Sequence, residues 1–280
     1  MPDTHVVVLA AGKGTRMKSA LPKVLHVAGG RRLIDHALAA AATLSPASIV
    51  VIVGHEAELM KEALGKRPGL SFAVQEPQLG TGHALLQAEA LLRGASGTLV
   101  LLSGDVPLLR PRTLDALVQL HEARGAAATV LTAVVDAPDG YGRIVREKGQ
   151  IAAIVEHKDA PPAQREIREI NSGVYAFDLG PLFAALREIG SSNAQGEYYL
   201  PDLVKIYRAR GLPVEALAIE DPREIQGVNG RKELADVGAI LKTTKNDELM
   251  AAGVTLVGLL RGRTANVYCG IERISNTVSS

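Results

Sequence analysis

The sequence predicts an α/β protein: a mostly parallel sheet with helices on both faces, joined to a smaller, partly antiparallel lobe. Three observations predict it. Short apolar runs, several of them β-branched, alternate with amphipathic helical patterns through the first half of the chain, the order of βαβ units. Beyond residue 135 the texture changes to short strand-like pieces separated by Gly and Pro. The 280 residues are 47% hydrophobic and 22% charged, an ordinary globular composition on a chain long enough to bury a substantial core.

In order, Val6–Ala10, Ile49–Val53, Leu70–Val74 and Leu99–Leu102 read as buried strands. Helical patterns lie between and after them at Leu33–Ala42, Glu56–Leu64 and Thr81–Leu92, then at Pro111–Arg124 before a strand at Ala127–Val135. The lobe, at about 136–200, carries Arg143–Glu147, Ile151–Glu156 and Ile170–Phe177 as strands. Helices near Leu179–Ile189 and Tyr199–Arg210 and a strand at Val214–Ala218 precede a long helix over 230–251. An irregular Ser/Thr/Asn-rich tail fills 252–280. Only 3% of residues are aromatic and none is Trp, so aliphatic and Ala packing must carry the interior. No Pro/Gly/Ser linker divides the chain, which favours one compact unit with a second lobe.

A formal net charge of +1 argues against a broad nucleic-acid surface; the bases cluster locally, as suits a small anionic ligand. One cysteine, Cys269, excludes an intramolecular disulfide and any multi-cysteine metal site, in keeping with a reducing cytoplasm. The N-terminus lacks the pattern of a secretory signal, and no apolar run approaches the roughly 18 residues that cross a bilayer.

The chemistry concentrates in loops at carboxyl ends of strands, where open α/β sheets bind ligands. After Val6–Ala10 comes Gly12-Lys13-Gly14, with Arg16, Lys18 and Lys23 close behind. Met17 breaks the G-x-G-x-x-G dinucleotide pattern and the order of a P-loop is missing, so the residues fit either a phosphate-cradling loop or an ordinary βα turn. After Leu99–Leu102, Asp105 supplies a hard oxygen of the kind Mg²⁺ takes, several residues too early to cap the helix at Pro111. The seven histidines show no metal-binding spacing, and no Ser-His-Asp or Cys-His constellation is visible.

Leu9-Ala10-Ala11-Gly12-Lys13-Gly14-Thr15-Arg16-Met17 followed by Pro22-Lys23 resembles the signature of sugar-nucleotide pyrophosphorylases. Gln75-Glu76-Pro77-Gln78-Leu79-Gly80-Thr81-Gly82-His83-Ala84 narrows the resemblance to N-acetylglucosamine-1-phosphate uridyltransferases, the first half of bifunctional enzymes that also acetylate glucosamine 1-phosphate. The resemblance implies a Rossmann-like fold of the nucleotide-diphospho-sugar transferase type. It also implies formation of UDP-N-acetylglucosamine and pyrophosphate from UTP and N-acetylglucosamine 1-phosphate, for peptidoglycan and lipopolysaccharide precursors. By it, Leu9, Ala10, Ala11 and Gly12 embrace the triphosphate, with Arg16 and Lys23 as catalytic cations. Gln75, Gly80 and Thr81 select uracil; a Gln amide can pair with an imide edge, and the alternative is a strand-to-helix turn capped by Thr81. Ser103, Gly104 and Asp105 contact the ligand, although Ser103 stands where such enzymes often carry an aromatic residue.

Asp105 would share Mg²⁺ with Asn229 of Gly227-Val228-Asn229, a residue that alone would suit a helix N-cap. In the lobe, Gly142, Glu156 and Asn171 would bind the sugar, although Gly142 also suits a turn and Glu156 a pairing with Lys158 or Arg143. Asn193-Ala194-Gln195-Gly196-Glu197-Tyr198-Tyr199 would close the sugar side. The match spans residues 5 to about 257, which places the catalytic domain at 1–229 and a linker helix at 230–251. The β-helix that acetylates, and through which full-length relatives trimerise, is not expected in residues 258–280, so acetyltransferase activity is not expected of this chain. A pyrophosphorylase for another sugar or base, and a non-catalytic nucleotide-sugar-binding regulator, are the rival readings.

Overall fold

The computed structural model describes residues 2–256 apart from positions 55 and 66; the tail from 257 on, with Cys269, lies outside the described residues. The strands are β1 (Thr4–Leu9), β2 (Val27–Ala28), β3 (Arg31–Arg32), β4 (Ser48–Val53), β5 (Leu70–Val74) and β6 (Thr98–Ser103). They continue with β7 (Ala128–Val134), β8 (Arg143–Glu147), β9 (Gln150–Val155), β10 (Glu169–Asp178) and β11 (Val214–Ile219). The helices are α1 (Leu33–Ala42), α2 (Ala57–Leu64), α3 (Thr81–Leu86), α4 (Pro111–Arg124), α5 (Pro162–Arg165), α6 (Leu179–Leu186), α7 (Leu203–Ala209) and α8 (Arg231–Ala251).

Among the described residues nine strands form one sheet in the order β11-β7-β10-β6-β1-β4-β5, extended by β8 on β10 and β9 on β8. The β1/β4, β1/β6, β4/β5 and β7/β11 pairs are parallel. β10 runs against β6, β7 and β8. The antiparallel lobe is therefore continuous with the main sheet: the strand expected at Ile170–Phe177 inserts between β6 and β7 and reaches β8 through a register shift between Asn171 and Tyr175.

Strand alternation explains the two-sided core. Val7, Leu99 and Leu101 face α3, α6 and α7, packing with Leu85, Leu182 and Tyr207. Val6, Val8, Val100 and Leu102 face α1, α2 and α4, packing with Ile34, Met60 and Leu117. Burying each such aliphatic side chain contributes roughly 1.5–3 kcal/mol. A third cluster, Met17, Ala28, Leu33, Val228 and Val237, joins α8 to the edge of the molecule.

Three expected helices are shorter than their patterns; the one near Leu179–Ile189 ends at Leu186. In 81–92 the α-helix ends at Leu86 and a 3-10 turn follows at Glu89–Leu92. The Gln87 side chain donates to the His83 carbonyl, the acceptor its own N–H would take in an α-helix, and that N–H bonds Ala84 instead. In 199–210 the first turn is 3-10, Leu200–Asp202, with Pro201 lacking an N–H to donate.

The register aligns the carboxyl ends of the parallel strands. Leu9 pairs with Ser103 on one side and Ile52 on the other. The loops after β1 and β6 therefore open on the same edge, where the reversed β10 brings Asn171.

Candidate active site

The loop after β1 leaves the sheet tied to both neighbours: Ala10 N–H donates to the Ile52 carbonyl (2.9 Å) and Gly104 N–H donates to the Leu9 carbonyl (2.9 Å). Gly12 and Lys13 are exposed, and buried Met17 anchors the 3-10 turn Thr15–Met17 that ends the loop. Gly14 sits at φ 59°, and a Cβ there would lie 2.7 Å from the Lys23 Cβ. The glycine thus lets the second lysine close on the loop, a physical reason for the fixed spacing between them.

Two cationic side chains converge on two oxygens. Lys23 Nζ donates to the Asp105 carboxylate and lies 3.5 Å from Asn229 Oδ1; Arg16 Nη2 donates to the same Asn229 oxygen at 2.9 Å. Val228 N–H donates to the Asp105 carbonyl (2.9 Å), tying the Gly-Val-Asn segment to the loop after β6. Gly230, not Asn229, is the N-cap residue of α8.

Because one ammonium touches both oxygens, Asp105 and Asn229 surround a common point where positive charge is favoured. A carboxylate and an amide oxygen are hard donors that suit a divalent ion completed by phosphate and water. Among the described residues no group of three or more His, Cys, Asp or Glu is placed to hold a metal alone.

A cavity of about 570 Å³ opens beside this cluster, reached by Leu9, Ala10, Ala11, Gly12 and Lys23 from one side. Gln75, Gly80, Thr81, Ser103 and Asp105 reach it from the other. Gln75 is 4% exposed, and its amide nitrogen donates to the Gly80 carbonyl (2.9 Å) and lies 3.2 Å from His83 Nδ1. Gly80, at φ 106°, is the N-cap residue of α3; the Thr81 hydroxyl instead accepts from Leu200 N–H (3.1 Å). Tyr198 N–H donates to Leu79 and Gly82 N–H to Tyr198, both at 2.8 Å, so the 193–199 segment lies over this turn.

A second cavity, about 200 Å³, adjoins the first and shares Leu9, Thr81 and Ser103 with it. Gly142 just before β8, Glu156 just after β9 and Asn171 on β10 come together, and Asn171 N–H donates to the Gly142 carbonyl (2.9 Å). A Cβ on Gly142 would stand 3.2 Å from Glu156 Oε1 and 3.4 Å from the Asn171 Cβ. Burial raises the Glu156 pKa, the carboxylates of Asp159, Asp202 and Glu197 raise it further, and Arg143 opposes them. Lys158 donates to Gln195 (2.6 Å) rather than to Glu156.

Arg16 and Asn229 sit at the cation cluster, and Gly104 meets the site through its backbone. Tyr141 and Tyr175 also line the smaller cavity, and Gln78 the larger. None of the three was singled out as a site residue in the sequence: Tyr141 and Gln78 stood only inside matched stretches, and Tyr175 only within the strand expected at Ile170–Phe177.

The family profile described as nucleotidyl transferase matches residues 5–221. The bifunctional protein GlmU of Heliobacterium modesticaldum is 50% identical over 258 residues, covering 92% of this chain and 56% of that protein. GlmU of Geobacter metallireducens is 43% identical over 287 residues, covering 99% of this chain and 60% of its own length. The chain thus spans little more than half the length of these curated relatives. Among solved structures, a "Putative Glucose-1-Phosphate Thymidylyltransferase" of Bacillus anthracis superposes with a TM-score of 0.69 at 21% identity, covering 85% of this chain and 95% of that one. That likeness concerns the fold. With a match over most of its length, the chain belongs to the nucleotidyl transferase family.

Proposed function

We propose that the chain transfers uridylyl from UTP to N-acetylglucosamine 1-phosphate, forming UDP-N-acetylglucosamine and pyrophosphate. One observation carries this reading: two cavities meet at Leu9, Thr81 and Ser103, with a cluster of two cations and two hard oxygens beside the larger. The larger suits a nucleoside triphosphate along the Leu9–Gly12 backbone, with Gln75 and Gly80 at the base. The smaller, with Glu156 and Asn171 as polar walls, suits a sugar. The bifunctional relatives support the choice of substrates; the proposal concerns the nucleotidyl transfer alone.

A phosphate oxygen of the sugar phosphate attacks the α-phosphorus, and the bond from that phosphorus to the bridging oxygen breaks, releasing pyrophosphate. The nucleophile is already an anion, so no residue removes a proton. The barrier lies in bringing two polyanions together and in the charge that grows on the leaving group. Arg16 and Lys23 rest on Asn229 and Asp105 and turn to the phosphates when these enter. Asp105 and Asn229 would hold Mg²⁺, which supplies further positive charge to the phosphates when bound. UTP is a cytoplasmic metabolite, and we assign the reaction to that compartment; no helix among the described residues is long and apolar enough to cross a membrane.

The test is pyrophosphate release by the purified chain with Mg²⁺ and a panel crossing UTP and dTTP with glucose 1-phosphate and N-acetylglucosamine 1-phosphate. The highest kcat/KM is expected for UTP with N-acetylglucosamine 1-phosphate. Preference for another pair overturns the substrates, and silence on every pair overturns the enzyme reading in favour of a binding role.

A further inference from the structure

Arg143 is wholly buried, yet none of its hydrogen-bond partners is a carboxylate. Nη1 donates to the Tyr141 carbonyl, Nε to the Arg165 carbonyl (3.2 Å), and Nη2 lies 3.3 Å from His157 Nδ1. Tyr141 immediately precedes Gly142, His157 immediately follows Glu156, and Arg165 closes the turn that leads into β10. One guanidinium therefore ties the residue before Gly142 to the segment after β9 and to the end of α5.

Its place in the sheet gives those ties their meaning. Arg143 pairs with Val155 on β9 and with Ile170 on β10, so it is the middle of a three-strand rung. One residue further along each of these segments stand Glu156, Gly142 and Asn171, all lining the smaller cavity. Successive side chains of a strand point to opposite faces, so Arg143 lies on the face behind that cavity, with Ile170. A buried cation with no carboxylate among its hydrogen-bond partners is costly, and an apolar side chain of like volume would pack there at lower cost. What an apolar side chain lacks is a planar fork of donors able to fix several acceptors at once.

We propose that Arg143 is the positioning residue of the sugar-phosphate subsite: it sets the spacing of Gly142 and Glu156 from behind, without touching substrate. The proposal rests on reading the smaller cavity as that subsite. Arg143 acts on one half of the site only, because its partners flank the smaller cavity while the phosphate loop, Gln75 and Asp105 lie outside its reach of hydrogen bonds.

The test is steady-state kinetics of Arg143→Lys, varying each substrate at saturation of the other, alongside thermal unfolding. A misplacement of about 1 Å can cost roughly 10²-fold, so KM for N-acetylglucosamine 1-phosphate should rise roughly 10- to 100-fold while KM for UTP stays unchanged. A lower melting temperature with both KM values at the wild-type level overturns the proposal and leaves Arg143 as a fold stabiliser. If Arg143→Lys does not fold, His157→Ala decides: it keeps the guanidinium and removes one of its partners. Its sugar-phosphate KM should rise with UTP unaffected, and an unchanged sugar-phosphate KM overturns the proposal. Failure of the parent reading shows separately, as a wild-type chain that releases no pyrophosphate with any sugar phosphate.

Discussion

At the scale of the residue, the site runs on charges held where they are uncomfortable. Lys23 and Asp105 are each mostly shielded from water, with 15% and 19% of their side chains exposed. Replacing either by Ala leaves the other facing polyanionic substrate without its partner. Removal of one charge-stabilising group commonly costs about 10²–10³-fold in rate. Both variants should lose kcat on that scale in the pyrophosphate assay, and near-normal turnover in either removes that residue from the mechanism. Glu156 carries a different tension. Burial and three neighbouring carboxylates raise its pKa above the ordinary 4.5, so its protonated form favours the fold. That stabilisation is full below 4.5 and is lost as pH rises through the raised value. Glu156→Gln, neutral throughout, escapes the loss. Its ligand-free melting temperature should exceed the wild type's near neutrality and converge with it in acid. Its sugar-phosphate KM should rise about 10-fold or more with the loss of a charged acceptor. A melting curve that tracks wild type at every pH contradicts the assigned shift.

At the scale of the element, the turn before α3 shows what a glycine permits. Gly80 takes φ 106°, and a Cβ there would lie 2.8 Å from the Tyr198 carbonyl oxygen and 2.9 Å from its nitrogen. Gly80→Ala must strain its backbone, at about 1–3 kcal/mol, and push the 193–199 segment off the site. It should lower the melting temperature and raise KM for UTP together, since the Gly80 carbonyl also orients Gln75. A lower melting temperature with KM for UTP unchanged rejects that coupling. Elements of this kind were only partly legible in the sequence. Apolar runs, β-branched in β1 and β4 and leucine-rich in β6, marked these strands, and glycine with lysine at fixed spacing marked the loop after β1, because burial and close approach leave compositional traces. The insertion of β10 into the main sheet left none, since strand order depends on partners far away in the chain. The break after Leu86 depends on one side-chain amide reaching a carbonyl, and Arg143 looks in sequence like any surface arginine.

At the scale of the whole molecule, the question is where the catalytic unit ends. The sequence places a linker helix at 230–251, and we propose that its first half belongs to the catalytic unit. Val237 on α8 is fully buried and packs with Met17, Ala28, Leu33 and Val228. Arg231 Nε donates to the Met17 carbonyl (3.1 Å), and Leu241 lies so close to Gly29 that a Cβ there would meet it at 2.9 Å. Met17 is the neighbour of Arg16 and Val228 the neighbour of Asn229, so α8 braces both sides of the cation cluster. From Lys242 onward the helix is largely exposed, with Met250 at 46%. Val237→Asp puts an unpartnered polar group into this contact, at a cost of roughly 2–7 kcal/mol with its carboxyl neutral and more when it is ionised. If α8 braces the site, the variant loses melting temperature and its KM for UTP rises, whereas Met250→Ser on the exposed half changes neither. A Val237→Asp chain that melts early yet keeps its KM for UTP would mean that the helix only adds stability, and the boundary at 229 would stand.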